Sequence, residues 1–250
     1  TGTNTMKSRS KAESIFLIHL SNICFAGTAI SVGALSGEFS GWFITLARFV
    51  VGAVLGFAHL AATRTPVKVV RLKPWIARGI FGSVAMALFF VSISLGTPGR
   101  GILFNNSFPI FVATISLVIL RERVHKTTVA AILVAFTGVA LVLWDGSGIN
   151  ALGDAAGLAS GFLAGFGYHL NKRAAQTENP IIIYMGVCAV GFLLAVFSLP
   201  EIQHVNPTAA ALLILTGLFA YVAQVILTMG LRDIPATEGS IHTFMKIPLT

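Results

Sequence analysis

Three long apolar segments follow one another between Trp75 and Trp144 with only a few polar residues between them. They run over 75–95, 101–120 and 127–143. A helix needs about 20 apolar residues to cross the ~30 Å hydrocarbon core of a bilayer, whereas the helices of soluble domains carry a polar face. Segments of this length joined by such short loops predict a bundle of membrane-spanning helices.

The composition supports a polytopic membrane protein. Hydrophobic residues make up 55% of the 250 residues and charged residues only 10%, against about a quarter in a soluble domain. We expect an all-α bundle, because helices satisfy their own backbone hydrogen bonds in lipid. Cys24 and Cys188 both fall in apolar segments, so no disulfide framework is implied.

The rest of the chain repeats this pattern of apolar segments. Further spans are predicted at 15–33, 42–62, 154–170, 181–199 and 208–228, and a ninth begins near Ala236. The sequence ends at Thr250, in the middle of this ninth apolar segment. We therefore expect a truncated chain that lacks the rest of span nine and a tenth span.

The basic residues are distributed unevenly between the two sides of the predicted bundle. If successive spans cross the membrane in opposite directions, most of the cations lie on the same side as the N-terminus. These are Lys7, Arg9, Lys11, Arg64, Lys68, Arg71, Lys73, Arg78, Arg121, Arg123, Lys126, Lys172, Arg173 and Arg232. Since basic loops stay in the cytoplasm, we expect a multi-pass protein of the inner (plasma) membrane with a cytoplasmic N-terminus. The net charge of +8 then reflects topology and does not indicate a nucleic-acid partner.

Five spans followed by a polar break predict an internal repeat. Residues 145–153 are polar and glycine-rich, so we assign 15–144 to a first five-helix repeat, 145–153 to a linker and 154–250 to a truncated second repeat. An odd number of spans reverses the chain, and the two repeats are then antiparallel, as in many secondary transporters. The turn at 95–98 before span four has a counterpart at 231–235 before span nine.

Several sequence motifs resemble those of a known family. They are Arg48 in span two, Pro109 in span four, LRERV at 120–124, FTGVAL at 136–141, and a span that begins with GD at 153–154 and ends in KR at 172–173. The pattern is similar to that of the drug/metabolite transporter superfamily, EamA-like branch. This resemblance implies ten helices in two inverted five-helix repeats, and the export or exchange of small metabolites.

Two charged residues in these motifs are interpreted as structural. Arg48 lies about two turns from the outer surface, where its side chain could snorkel to the interface or pair with a helix end. The resemblance makes an arginine at this position a framework feature, which favours structure over binding. Glu122 lies in a cytoplasmic anchor, where its carboxylate is available for a pair between helices.

The strongest candidate site is a helical face formed by Glu238, His242 and Lys246, which are spaced four apart. Glu238 and His242 could exchange a proton, so we predict that they couple transport to protons. His242 and Lys246 are predicted to bind substrate, with Lys246 facing a carboxylate or phosphate. The alternative is a salt-bridged packing face.

Other polar side chains inside spans are weaker candidates for a substrate cavity. Asn22 shares a face with His19, and Tyr221 shares a face with Gln224 and Thr228. We predict Asn22, Tyr221 and Gln224 as substrate ligands and His19 as a lining residue. Hydrogen bonding between helices would also explain each of them.

Span four carries a further candidate at its proline. Pro109 cannot donate to the carbonyl of Asn105, so we predict a helix kink, with Asn105 and Asn106 as substrate ligands beside it. The alternative is that Asn105 only satisfies the kinked backbone.

Span six carries a row of glycines at positions 157, 161 and 165, which predicts a seam of close helix packing. His169 follows on the same face, where a role in lining the cavity is possible.

Three function classes follow from these features. The first is a secondary active transporter, an exporter or exchanger of small organic metabolites such as amino acids, working by alternating access. The second is a passive, channel-like permease of the same fold. The third is a membrane enzyme, which is disfavoured because the six histidines are scattered with no metal-ligand spacing. We expect no catalytic residues, no metal and no cofactor, with a small-molecule substrate and the lipid bilayer as partners and a monomer or homodimer as the assembly.

Overall fold

The computed structural model describes residues 9–121 and 150–243 and, between these ranges, positions 127, 130, 134, 137, 138 and 141. The ranges 9–121 and 150–243 contain nine α-helices and no β-strand. In chain order they are α1 Lys11–Leu35, α2 Gly41–Ala62, α3 Leu72–Leu95, α4 Pro98–Asn105, α5 Phe108–Val118, α6 Ala151–Ala175, α7 Pro180–Ala195, α8 Pro207–Leu231 and α9 Ala236–His242. A 3₁₀-helix over Val196–His204 continues α7. The all-helical architecture is thereby confirmed, while most of predicted span five and the end of span nine lie outside the described residues.

Six stretches of the described residues are long and apolar enough to cross a membrane: Lys11–Leu35, Gly41–Ala62, Leu72–Leu95, Pro98–Val118, Pro180–His204 and Pro207–Leu231. Each corresponds to one predicted span, with ends that differ by a few residues. The 25-residue helix α6 is long enough as well, but it is less apolar because it contains Asp154, Lys172, Arg173 and several glycines.

Local sequence signals set where the helices begin. The Ser10 hydroxyl accepts a hydrogen bond from the Glu13 N–H at 3.2 Å, and the Glu13 carboxylate accepts one from the Ser10 N–H at 2.9 Å, which caps α1. Asn179 and Asn206 cap α7 and α8, and each is followed by a proline, whose missing N–H costs nothing at a first helical position. Asn150 caps α6, which therefore begins inside the predicted linker.

The fourth membrane-spanning stretch is broken near its middle. Helix α4 ends at Asn105 and α5 begins at Phe108. The Asn106 N–H still donates to the Ile102 carbonyl at 2.9 Å, whereas Pro109 in the first turn of α5 has no N–H to donate to the Asn105 carbonyl. The break therefore lies where the proline interrupts the hydrogen-bond ladder.

Helix α6 packs closely against this broken helix and against α3. The predicted seam of Gly157, Gly161 and Gly165 faces α4 and α5. A Cβ at Gly161 would lie 2.8 Å from the Phe104 carbonyl oxygen, and one at Gly165 would lie 2.8 Å from Cβ of Phe111. Real Cβ atoms do not approach other atoms so closely, so larger residues would force the helices apart.

Polar contacts join the helices at each end of the bundle. At the end where α1 finishes, which we call the Leu35 end, Arg100 forms a bidentate pair with Asp154 of α6. Its Nε lies 3.0 Å from Oδ1, and its Nη2 lies 2.6 Å from Oδ2. The Ser40 hydroxyl donates to the Glu201 carboxylate at 2.5 Å, which joins the start of α2 to the 3₁₀-helix.

The opposite end, where α1 begins, is called the Lys11 end. Lys11 pairs there with Glu238 of α9 at 2.7 Å. Glu178 is 1% exposed, and its carboxylate accepts from the backbone N–H groups of Val70 at 2.9 Å and Arg71 at 2.6 Å. This carboxylate joins the loop before α3 to the loop before α7.

Apolar clusters fill the bundle toward both ends. The cluster at the Leu35 end includes Phe89 and Phe90 of α3. The cluster at the Lys11 end includes Phe108 of α5, Tyr168 of α6 and Leu227 of α8. These five side chains also border the space between the two clusters, where the polar residues of several helices meet.

Candidate functional site

A cavity of about 110 Å³ lies between the two apolar clusters, and we call it the central cavity. Helices α1 to α6 and α8 all contribute to its wall. Its polar lining consists of Asn22, Thr28, Arg48, Arg78, Asn105, Asn106, Tyr168, Asn171, Gln224 and Thr243. The large apolar side chains of its lining are Phe25, Met86, Phe89, Phe90, Ile102, Phe108 and Leu227. Apolar walls with a limited set of polar groups are typical of small-molecule sites.

Four amide side chains predicted from the sequence come together at this cavity. They are Asn22 of α1, Asn105 at the end of α4, Asn106 in the break and Gln224 of α8. Each is buried. They lie far apart in sequence, and it is the packing of α1 and α8 around the broken helix that brings them to one space.

The hydrogen bonds of these amides leave part of their capacity unused. Asn22 Nδ2 donates to the His242 carbonyl at 2.9 Å, and Asn105 Nδ2 donates to Ser160 Oγ at 3.0 Å. Asn22 Oδ1 and Asn106 Nδ2 are buried without a partner among the described residues. A buried amide without a partner costs free energy, so these two atoms are candidates for contacts with a bound molecule.

Tyr221, which was predicted beside Gln224, does not line the central cavity. Its hydroxyl contacts Nδ1 of His59 at 2.8 Å, and its ring lies 5.7 Å from the ring of Tyr184. Residues three apart on a helix point about 60° away from each other, which is enough to turn Tyr221 toward α2 and α7 while Gln224 faces the cavity.

The predicted coupling face lies at the Lys11 end, next to the central cavity. The rings of His242 and His19 meet edge to face with their centroids 5.1 Å apart, and Glu238 pairs with Lys11. Thr243, the residue after His242, lines the cavity. The histidine pair is therefore adjacent to the lining and does not form part of it.

The remaining predicted residues lie at or beyond the edge of this site. His169 borders a second, larger space at the Lys11 end, and its Nε2 lies 2.9 Å from the Val112 carbonyl oxygen. Lys246 and Glu122 fall outside the described residues.

Arg48 is 1% exposed and lines the central cavity, so its side chain does not snorkel to the membrane surface, which was one of the two alternatives considered for it. Its Nε and Nη1 have no hydrogen-bond partner among the described residues. The guanidinium lies over the rings of Phe49 and Phe90, at 5.3 and 5.6 Å from their centroids. These cation–π contacts offset part of the cost of burying the charge.

Arg78 is a second buried arginine at the cavity, although the sequence pattern placed it among the cations on the cytoplasmic side. Helix α3 begins at Leu72, so Arg78 lies in its second turn and is 7% exposed. A Cβ at Gly82 would overlap Nη1 of Arg78, and one at Gly167 would lie 3.6 Å from it. Gly82 therefore leaves the space that the guanidinium occupies, whereas a Cβ at Gly167 would be at ordinary contact distance. An arginine followed by a glycine one turn later was the signal that the sequence offered.

The charge of the lining is positive. No described acidic side chain lines the central cavity, whereas Arg48 and Arg78 both do, and their charges are close enough to repel each other. Tyr168 contributes a buried hydroxyl with no partner among the described residues. The cavity therefore presents mainly hydrogen-bond donors and positive charge, which suit a ligand rich in acceptor oxygens.

Known proteins share the fold of this chain and part of its sequence. A solved structure described as "Crystal structure of protein" is similar over 94% of this chain and 85% of its own length, with a TM-score of 0.72 and 18% sequence identity. An uncharacterized transporter from Archaeoglobus fulgidus is 29% identical over 148 residues, which is 58% of this chain and 52% of the relative. The chain thus spans about half the length of that curated relative.

The first half of the chain matches a family model. The model describes the EamA-like transporter family and matches residues 13–144, which is more than half of the 250 residues. This region contains α1 to α5, with Arg48, Arg78 and the broken helix. The chain therefore belongs to the EamA-like transporter family and is a multi-pass membrane protein.

Proposed function

We propose that this protein is a secondary active transporter that exports or exchanges small organic metabolites by alternating access. The observation that carries the proposal is the central cavity. It lies inside a bundle of membrane-spanning helices and is lined by buried polar groups without partners. Such groups are expensive in a membrane protein, and they are usually retained where a substrate or ion must pass.

The pattern of helix packing supports two inverted repeats, 15–144 and 154–250, joined by the linker 145–153. An inverted repeat of five spans exchanges α1 with α6 and α3 with α8. The interface of α3 with α6 then corresponds to the interface of α8 with α1. These are the two most extensive helix interfaces among the described residues. Rocking of such repeats around a shared site is the usual means of alternating access.

The broken helix supports a moving part at the cavity. The break between Asn105 and Phe108 lies in the wall of the cavity and contains Asn106. Hinges are a few residues at the ends of elements that absorb changes in backbone angles. We propose that α4 and α5 change their relative angle at this break as the cavity opens toward either side.

We propose that the protein lies in the inner membrane of the cell. In the proposed orientation the Lys11 end faces the cytoplasm. Exposed cations at that end include Arg64, Lys68, Arg71 and Lys73. Basic loops favour the cytoplasmic side. Substrate would then enter past Asn22 and leave past Asn106.

Proton coupling is proposed for Glu238 and His242 at the same end. Glu238 is partly exposed and pairs with Lys11, and His242 contacts His19. The carbonyl of His242 accepts from Asn22, which connects this group to the cavity wall. Protonation at the Lys11 end could thereby change the contacts that close the cavity.

Counterflow in proteoliposomes tests the proposed function. Liposomes that contain the full-length protein and one unlabelled metabolite should take up the same labelled metabolite transiently, whereas protein-free liposomes should not. A passive channel equilibrates its solute without transient accumulation and without saturation. Failure of every metabolite of a broad panel to move faster than in protein-free liposomes would contradict the proposal.

A further inference from the structure

We propose that Arg48 and Arg78 together bind the carboxylate of a small organic anion, which the transporter carries as its substrate. This inference rests on the proposed transport function and names the chemical class of the substrate. It assigns to Arg48 a binding role in place of the structural role expected from the sequence, and it adds Arg78 to the site.

The state of Arg48 supports a ligand at this position. Its side chain is 99% buried, since only 1% is exposed, and two of its three nitrogens lack a partner among the described residues. The aromatic rings of Phe49 and Phe90 hold the guanidinium in place but accept no hydrogen bonds in its plane. A buried guanidinium that is positioned but not neutralised is suited to receive an anion.

The position of the Arg78 side chain supports the same binding role. Gly82 on its own helix leaves space for its guanidinium, and its Nε has no partner among the described residues. The side chain is 7% exposed and borders the same cavity as Arg48. Two arginines reach one cavity from α2 and α3, so a carboxylate between them would tie two helices together.

The charge balance favours an anion over a zwitterion or a cation. Three described carboxylates with low exposure or an ion pair are engaged outside the cavity: Asp154 with Arg100, Glu178 with backbone N–H groups, and Glu238 with Lys11. A bound anion would relieve the repulsion between the two guanidinium groups. An ammonium group would find no described acidic side chain in the lining.

The size of the cavity limits the anion. A cavity of about 150 Å³ can hold benzene, so the 110 Å³ found here limits the ligand to a molecule of about six non-hydrogen atoms or fewer. Asn106 Nδ2 and Asn22 Oδ1 can bind a hydroxyl or second carbonyl on such a molecule, and Phe90 can cover its carbon atoms. Short hydroxy acids and keto acids match this description.

Thermal unfolding of the purified full-length protein tests the anion class. The probes are lactate, its neutral amide lactamide and the zwitterion alanine, each at the same concentration with chloride held constant. Lactate should raise the unfolding midpoint in a concentration-dependent way, because a ligand of the folded state stabilises it. Absence of stabilisation by lactate, or equal stabilisation by lactamide or alanine, would overturn the proposal.

Variants assign the response to the two arginines. Arg48→Gln and Arg78→Gln should each weaken lactate binding at least about tenfold, since each removes a charged hydrogen-bond donor. Without lactate their unfolding midpoints should be unchanged or higher, because an uncompensated buried charge is removed. Lys73→Gln removes an exposed charge from α3, the helix that carries Arg78, and should leave the lactate response intact. A lower midpoint together with an unchanged lactate response would show that the arginines are structural.

Two further measurements keep the outcomes separate. Gly82→Ala retains both charges but displaces the Arg78 guanidinium, so it should also weaken lactate binding; an unchanged affinity would contradict the assigned route of the side chain.

The rate of lactate counterflow should fall in the variants that weaken lactate binding and stay unchanged in Lys73→Gln. Arginine-dependent binding without counterflow of any solute would overturn the transport function and leave the anion site standing. Counterflow of a neutral or zwitterionic solute without lactate binding would overturn the anion site and leave transport standing.

Discussion

Asn105 at the end of α4 donates to the hydroxyl of Ser160 on α6 at 3.0 Å, and Ser160 donates in turn to the Gly157 carbonyl at 2.7 Å. This chain of hydrogen bonds fixes the broken helix against the glycine face of α6. Both side chains are buried. The break is therefore held by a specific contact at the point where its backbone hydrogen bonds are interrupted.

The glycine face beside this contact should be sensitive to a single methyl group. In Gly161→Ala the added Cβ would lie 2.8 Å from the Phe104 carbonyl oxygen and 3.0 Å from Ser107 Oγ, so we expect a loss of about 1–3 kcal/mol in stability. Thermal unfolding in detergent measures this loss. Gly99→Ala is the matched control, because a Cβ at Gly99 would meet nothing within 4 Å. Equal midpoints for the two variants would contradict the close packing described here.

The Arg100–Asp154 pair should stabilise the Leu35 end of the bundle. Its side chains are 7% and 14% exposed, and removal of one partner leaves a largely buried charge. We expect Arg100→Gln, which leaves the Asp154 carboxylate without its arginine, to cost about 2–3 kcal/mol and the double variant with Asp154→Asn to recover part of that loss. Glu38→Gln removes an exposed carboxylate at the same end and should change nothing. Additive losses in the double variant would exclude an energetic coupling between the two residues.

Gln224 and Tyr221 lie less than one turn apart on α8 and should differ in function. Gln224 lines the central cavity, so Gln224→Ala should raise the KM of transport by about three- to tenfold, as expected for one lost hydrogen bond. Tyr221→Phe removes only the contact with His59 and should leave KM unchanged. Initial rates of counterflow over a range of concentrations measure both values. A larger effect of Tyr221→Phe would favour the predicted role of Tyr221 as a substrate ligand.

The positions of polar residues in apolar spans were sufficient to predict that four amides face the cavity, but not that Asn171 and the two arginines do. Asn22, Asn106 and Gln224 lie in the middle of apolar spans, where a polar side chain must face the interior of the bundle. Arg78 was missed because it lies near a helix end, where the positive-inside pattern explains a cation equally well. Gly82 leaves the space that its guanidinium occupies, but only the packed structure shows that this face of α3 borders the cavity.

Glu238 should carry the coupling to protons. Glu238→Gln removes the titratable group and its ion pair with Lys11, so uptake should lose its dependence on an imposed pH gradient while exchange at equal pH continues. Fluorescent pH indicators and labelled substrate in the same proteoliposomes measure both. Lys11→Gln breaks the same ion pair but keeps the carboxylate, and it should retain the dependence on the gradient. Full coupling in Glu238→Gln would remove this carboxylate from the mechanism.

The access of the central cavity to both sides of the membrane is the most direct test of the account. Gln224→Cys, in a protein whose Cys24 and Cys188 are replaced by serine, should react with a membrane-impermeant maleimide in right-side-out and in inside-out vesicles. A transported solute should slow both reactions. Reaction from one side only, or no protection by a transported solute from either side, would contradict alternating access through this cavity.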